Sequence, residues 1–137
     1  MKKIYWQNPD AGLLILRIAL ALLMMVHGWS KLQGFAQMSG SFPDPMGVGS
    51  SVSLTLAIFA ELGCSVLLLL GALTPLALIP LGFTMLVAAF LIHGGDPWAK
   101  KELAVMYLLG YLALLVSGPG RYSVDGKLFG RDDAPSK

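Results

Sequence analysis

Four stretches of this chain stay apolar for longer than the helices of a water-soluble domain usually do. They run from about Ala11 to Trp29, Val52 to Leu70, Leu76 to Ile92 and Leu103 to Ser117. A helix needs about 20 residues, within roughly 17–25, to cross the hydrocarbon core of a bilayer. The first three segments fit directly. The fourth reaches that length only if its helix begins near Pro97 and carries Lys100, Lys101 and Glu102 in its first turns. Backbone groups in lipid must find partners within the spanning segment, which leaves helices as the economical answer. The expected fold is therefore all-α, a four-helix transmembrane bundle. Its helices cover about 11–30, 51–71, 75–93 and 97–117 within a single domain over 1–137.

Charge content agrees. Only 13% of the 137 residues are charged while 55% are hydrophobic, against about 25% charged in a soluble domain. The net charge of +2 comes without a basic stripe, so no nucleic-acid partner is expected. The one cysteine, Cys64, lies inside an apolar run, which excludes an intramolecular disulfide or a dithiol redox centre. Lys2 and Lys3 resemble the start of a signal peptide, but Asp10 and Arg17 interrupt it and His27-Gly28-Trp29-Ser30-Lys31 is a poor cleavage site. The first segment is read as a retained span.

Local punctuation sets the limits. Ser50 and Ser51 are candidate caps for the second helix, and Gly71 closes it. Thr74-Pro75 and Asp96-Pro97 each place a capping side chain before a proline at the first helical position, where its missing N–H does no harm. Pro80 falls about one turn inside the third helix and is expected to bend it. The segment from Leu32 to Gly49 is too polar and broken to span. It is expected at the interface, with Phe35, Met38, Phe42 and Met46 toward lipid. Lysine and arginine placement gives the orientation. The N-terminus, the second loop and the C-terminus hold Lys2, Lys3, Arg121, Lys127, Arg131 and Lys137, and the other side holds Lys31, Lys100 and Lys101. Both termini are therefore expected in the cytoplasm.

Arg17 and Glu61 fall inside predicted spans, where a charge costs about 2.5–3.5 kcal/mol on insertion scales and normally faces a partner or a cavity. At 1.5 Å per residue they lie roughly 9 and 14 Å above one membrane level. An Arg17–Glu61 ion pair is the expectation, either as a packing clasp or as the wall of a polar pocket. Nearer the opposite face, His27 and Lys31 on the first helix, His93 ending the third and Glu102 opening the fourth share one level. Arg17, His27, Lys31, Glu61, His93 and Glu102 are thus the pocket candidates. No HExxH or ExxH spacing supports a metal, so no metal site is expected. On the second helix Ala57, Glu61, Cys64 and Ser65 share a face, with Ala60 and Gly63 permitting close helix approach.

Several of these pieces together resemble the DoxX family of bacterial membrane proteins. They are Leu16-Arg17-Ile18-Ala19-Leu20 leading to His27-Gly28-Trp29-Ser30-Lys31-Leu32, then Asp44-Pro45 with Gly47, Ala60-Glu61-Leu62-Gly63 and Gly71-Ala72-Leu73-Thr74-Pro75. Glu102 and the closing Gly118-Pro119-Gly120-Arg121-Tyr122-Ser123-Val124-Asp125 complete the series. Pro75 departs from the family, which often has arginine there. The resemblance implies a four-helix bundle in the bacterial cytoplasmic (inner) membrane and a link to redox chemistry, since some relatives are subunits of a thiosulfate:quinone oxidoreductase. A membrane subunit of an oxidoreductase complex is the first functional expectation, binding quinone or a small sulfur or oxygen species, with no intrinsic cofactor and with protein partners supplying electrons. A non-catalytic anchor or assembly factor is the second. A small transporter is the third, in which case a homo-oligomer would relieve the cramped four-helix pathway. Arg121 and Asp125 are expected at the cytoplasmic interface, Arg121 against lipid phosphates and Asp125 holding it through a local turn.

Overall fold

A computed structural model describes residues 7–130. Lys2, Lys3, Arg131 and Lys137, used for the orientation, lie outside the described residues. Helix α1 runs Pro9–Gln33, started by the Asn8 side chain, which accepts a hydrogen bond from the Ala11 amide at 3.1 Å. Asp10 in its first turn and Lys31 in its last complement the helix dipole. A short turn α2, Phe35–Met38, follows. Helix α3 is Ser50–Leu70 and α4 is Thr74–Ile92. Helix α5 is Trp98–Ser117, and the short α6, Val124–Phe129, ends the described chain. Two wider, π-helical turns interrupt the long rods, Phe59–Cys64 in α3 and Ala88–Ile92 in α4.

Among the described residues the structure is all-helical. Three helices, α1, α3 and α4, are long and apolar enough to cross a membrane. Helix α5 is long enough, but Lys100, Lys101 and Glu102 crowd its first turns. Each long helix packs on the next in the chain, and α5 closes the ring on α1. Ala21, Met24, Leu68, Leu78, Leu81, Tyr111 and Leu114 fill the centre. Large apolar side chains instead cover the outside, among them Val26, Phe59, Ile79, Phe90, Leu109 and Val116. In water such a surface would be costly, and in hydrocarbon it is the natural coat.

The most deeply buried charge fixes one end of the ring. Arg17 is 1% exposed, and its guanidinium donates to the carbonyls of Leu68 at 3.0 Å, Leu69 at 2.6 Å and Tyr122 at 2.8 Å. The first two lie in the last turn of α3, where the helix dipole places partial negative charge, and the Leu68 carbonyl accepts from the Gly71 amide as well. Gly71 ends α3 in the left-handed region at φ +68°, and a Cβ there would lie 2.3 Å from Ser123 Cβ and 2.8 Å from Arg17 Nη1. Glycine is required on both counts.

The cap of α4 comes from a distant residue rather than from the adjacent one expected. Leu73, at φ +49°, occupies the position before α4, with Thr74 already helical. The Asp125 carboxylate supplies the missing cap, accepting from the amides of Leu73 at 2.9 Å and Thr74 at 2.8 Å. The Asp125 amide in turn donates to the Gly71 carbonyl at 2.9 Å. Asp125 therefore does not hold Arg121, whose amide donates to Asp10 at 3.0 Å while its guanidinium lies over the Tyr122 ring. At the other end, Ser50 and Ser51 already lie inside α3, the capping position falls to Gly49 with no side-chain cap, and Asp44 ties down the loop that precedes it. Asp44 accepts from the Gly49 amide at 2.7 Å, Val48 amide at 3.0 Å and Ser53 hydroxyl at 2.8 Å.

Lysine cannot reproduce the three-pronged planar donation of Arg17. Arg17→Lys is expected to lower stability by about 1–3 kcal/mol for the carbonyls it abandons. Thermal unfolding in detergent reads this, and an unchanged midpoint would contradict the assignment. Burial pushes the Asp125 carboxylate up, but hydrogen bonds from Thr74 and Leu73 and the nearby Arg17 charge outweigh it and hold it below the usual carboxylate range. A depressed carboxylate contributes stability above its unfolded pKa of about 3.9 that is lost as pH falls through the folded value. Midpoints measured from pH 7 down to 3 should fall more steeply for the native protein than for Asp125→Asn.

Candidate functional site

The opposite end of the bundle is built on a close approach of α1 and α3. A Cβ on Gly28 would lie 2.8 Å from the Leu62 amide nitrogen and 3.0 Å from the Glu61 carbonyl carbon. Only glycine lets the two backbones meet there. The contact falls on the π-helical turn that carries Glu61, and wider turns of this kind often sit at functional sites. One turn beyond Gly28, Lys31 donates from Nζ to Glu61 Oε2 at 2.7 Å. Glu61 is 4% exposed.

The expected Arg17–Glu61 pair is therefore corrected: Lys31 takes the carboxylate, and Arg17 takes backbone carbonyls. Leu68 and Leu69 lie seven and eight residues beyond Glu61, roughly 11 Å along α3. Arginine turns toward that helix end, while Gly28 brings Lys31 against Glu61.

Four of the six pocket candidates, His27, Lys31, Glu61 and His93, line one cavity of about 190 Å³. Arg17 belongs to the other end, and Glu102 is exposed and faces away from the cavity. Lys100 and Tyr107 complete the polar lining, and Met24 and Met85 are among its apolar walls. The second π-helical turn, Ala88–Ile92, borders the same space and delivers His93 at its end. His93 Nδ1 lies 2.8 Å from Asp96 Oδ2. That hydrogen bond, with Lys100 and Lys101 nearby, holds the Asp96 carboxylate below its ordinary range. Asp96 is thus engaged with His93 rather than with the start of α5.

Sequence reasoning missed Tyr107 and Tyr111. The His27 and Tyr107 rings meet edge to face at 6.0 Å, and Tyr107 stacks on Tyr111 at 6.1 Å. The signal was available: two phenols four residues apart in an apolar helix share a face, and a buried phenol needs a partner. Cys64 is a buried free thiol, one turn from Glu61. Among the described residues no group of three histidine, cysteine, aspartate or glutamate side chains is placed to hold a metal ion. The site offers one carboxylate, two lysines, two imidazoles and a phenol. The lysines, imidazoles and phenol can donate hydrogen bonds to a small polar guest, and the carboxylate can accept them.

A double-mutant cycle on Lys31→Met and Glu61→Gln measures the central pair. Each single variant leaves its partner buried and uncompensated, so the double variant should lose less than the sum, with a coupling of about 1–3 kcal/mol. Strict additivity would mean that the pair carries no energy.

Comparison with known proteins gives a consistent result. The family model described as DoxX matches residues 12–94. The chain is 37% identical over 130 residues to "Inner membrane protein YqjF" of Escherichia coli, covering 91% of this chain and 95% of that protein. It is 33% identical to an uncharacterized Haemophilus influenzae protein, covering 85% and 90% of the two chains. It is 30% identical to "Inner membrane protein YphA" of Escherichia coli, covering 82% and 87%. No solved structure matches.

Proposed function

The chain belongs to the DoxX family of membrane proteins, and on that footing we propose that it is a membrane subunit of an oxidoreductase system whose Lys31–Glu61 cavity receives a quinone head group or a small sulfur or oxygen species. In this reading it is one domain of four spans in the bacterial cytoplasmic membrane, with both termini in the cytoplasm and the cavity opening outward. The outward apolar side chains of α5, including Met106, Leu109, Leu112 and Leu115, support its being the fourth span. Its three early charges would then sit at the interface, where long side chains reach water.

The observation that carries the functional reading is the nearly buried Glu61 carboxylate, bonded to Lys31 at 2.7 Å in a cavity shared with His27 and Tyr107. Reducing a quinone to a quinol takes two electrons and two protons. Lysine, imidazole and phenol donors suit the two carbonyl oxygens, and a carboxylate suits proton delivery. Electrons would come from a partner protein. A volume of about 190 Å³ is below the roughly 300–1,000 Å³ of pockets that enclose drug-sized ligands. It favours a head group or a small species.

A second reading, a non-catalytic anchor or assembly factor for redox partners, is supported by the mutual satisfaction of Lys31 and Glu61, which then serve as a clasp between α1 and α3. Lipid and quinone analysis of gently purified protein, followed by quinone titration, separates the two. The first reading expects co-purified quinone and a tenfold or greater loss of affinity in folded Glu61→Gln protein, about 1.4 kcal/mol or more. A lower midpoint with no quinone bound in either form supports the clasp.

A further inference from the structure

Four buried side-chain polar atoms find no hydrogen-bond partner among the described residues: Arg17 Nε, Ser65 Oγ, Thr74 Oγ1 and Tyr111 Oη. Leaving such a group unpaired costs about 1–3 kcal/mol, and folded proteins leave few. Thr74 sits beside the Asp125 carboxylate and belongs to that clasp. The other three are ordered along the bundle axis. Ser65 lies four residues inward of Glu61 on α3, about 6 Å, and Leu68, whose carbonyl holds Arg17, is about 4.5 Å further. Tyr111 lies one turn inward of the cavity-lining Tyr107, with the rings stacked. Helices α3 and α5 occupy opposite corners of the ring, so these two ladders face one another across its centre. Between them α1 presents Ala21, a small residue between Arg17 and Met24 on its buried stripe.

We infer that the outer cavity continues inward as a file of bound water along Tyr111 and Ser65, ending at Arg17, and that Glu61 exchanges protons with the Lys31 end of the bundle alone. A buried water typically makes about three hydrogen bonds to groups that would otherwise go unpaired, and two hydroxyls with the remaining guanidinium N–H provide such a set. The file stops at Arg17 because both of its terminal nitrogens are bonded to backbone carbonyls, Gly71 and Ser123 close around it, and a fixed positive charge repels a proton in a medium of low dielectric. The groups facing Glu61 are Lys31 and His27 from α1, His93 from α4, and Lys100 and Tyr107 from α5, all at the cavity end. The inference depends on the cavity described above and not on which guest it receives.

The test uses the full chain in lipid nanodiscs. X-ray hydroxyl-radical footprinting generates radicals from water in place, so Tyr111, at 2% exposed, should be labelled if water lies against it. Tyr111→Phe and Ser65→Ala should each lower the unfolding midpoint by about 3–8 °C, because each removes a water-bonded group. In a dry core the same substitutions remove an unpaired hydroxyl, and the midpoint would hold or rise. Unlabelled Tyr111 overturns the proposal, and labelling of the native protein decides even if a variant fails to fold. Proteoliposomes bearing a pH gradient should keep it as well as protein-free vesicles do, and a leak would overturn the closed end. None of these measurements uses quinone, so their failure is distinct from failure of the proposed function.

Discussion

Everything at one end of this bundle depends on where a single guanidinium can be satisfied inside a low-dielectric core. A buried cation needs donors matched to acceptors as well as opposite charge. The C-terminus of α3 provides both through the Leu68 and Leu69 carbonyls and the negative end of its dipole. Placing Arg17 there forces Gly71, because any Cβ would strike the guanidinium and Ser123. It also draws in the segment around Tyr122, whose carbonyl is the third acceptor. Once that segment is held, Asp125 lies against the start of α4 and caps it. Gly71-Ala72-Leu73-Thr74-Pro75 and Gly118-Pro119-Gly120-Arg121-Tyr122-Ser123-Val124-Asp125 are therefore two halves of one socket. The plug is Arg17.

Much of this was legible in the sequence, and the unread part has a common cause. Span limits follow from runs of apolar residues, a local property, and the expected 51–71, 75–93 and 97–117 differ by a residue or so from the helices found. Helix α1 begins earlier, at Pro9, because Asn8 and not a nearer residue caps it. The cap of α4 was misassigned because its acceptor is remote: Asp125 reaches amides 51 and 52 residues away. The Arg17–Glu61 expectation failed for a related reason. Axial height alone made the pair reasonable, but height ignores the carbonyls of a helix end and the glycine that brings Lys31 within 2.7 Å of Glu61. Four members of the polar cluster share a cavity because periodicity and level are enough to predict that. Glu102 is excluded by its azimuth on α5, which level does not report.

The two charged ends use different chemistry. Arg17 is held by backbone carbonyls, which do not titrate at any ordinary pH, and the titratable charge beside it is the Asp125 carboxylate. Lys31 and Glu61 are bonded side chain to side chain, so a guest that bonds to either one changes the field at the other end. A cation locked to the backbone behind a side-chain ion pair is a reasonable design for a site that must respond to a guest while its scaffold does not. The π-helical turns fall where that response is needed. Both border the cavity, and neither lies at the Arg17 end.

The same asymmetry bears on how a guest would be held. A pair already bonded at 2.7 Å gains little from a weak acceptor, because the guest must replace a charge-assisted hydrogen bond with one of comparable strength. A guest that only accepts can bond Lys31 but leaves Glu61 without a donor in a site that is almost closed. A guest that accepts and then takes up a proton satisfies both, first as an acceptor to Lys31 and afterwards as a donor to Glu61. The pair therefore disfavours inert anions, which only accept, and admits molecules that both accept and donate; under the proposed function a quinone meets that condition once it has taken up a proton.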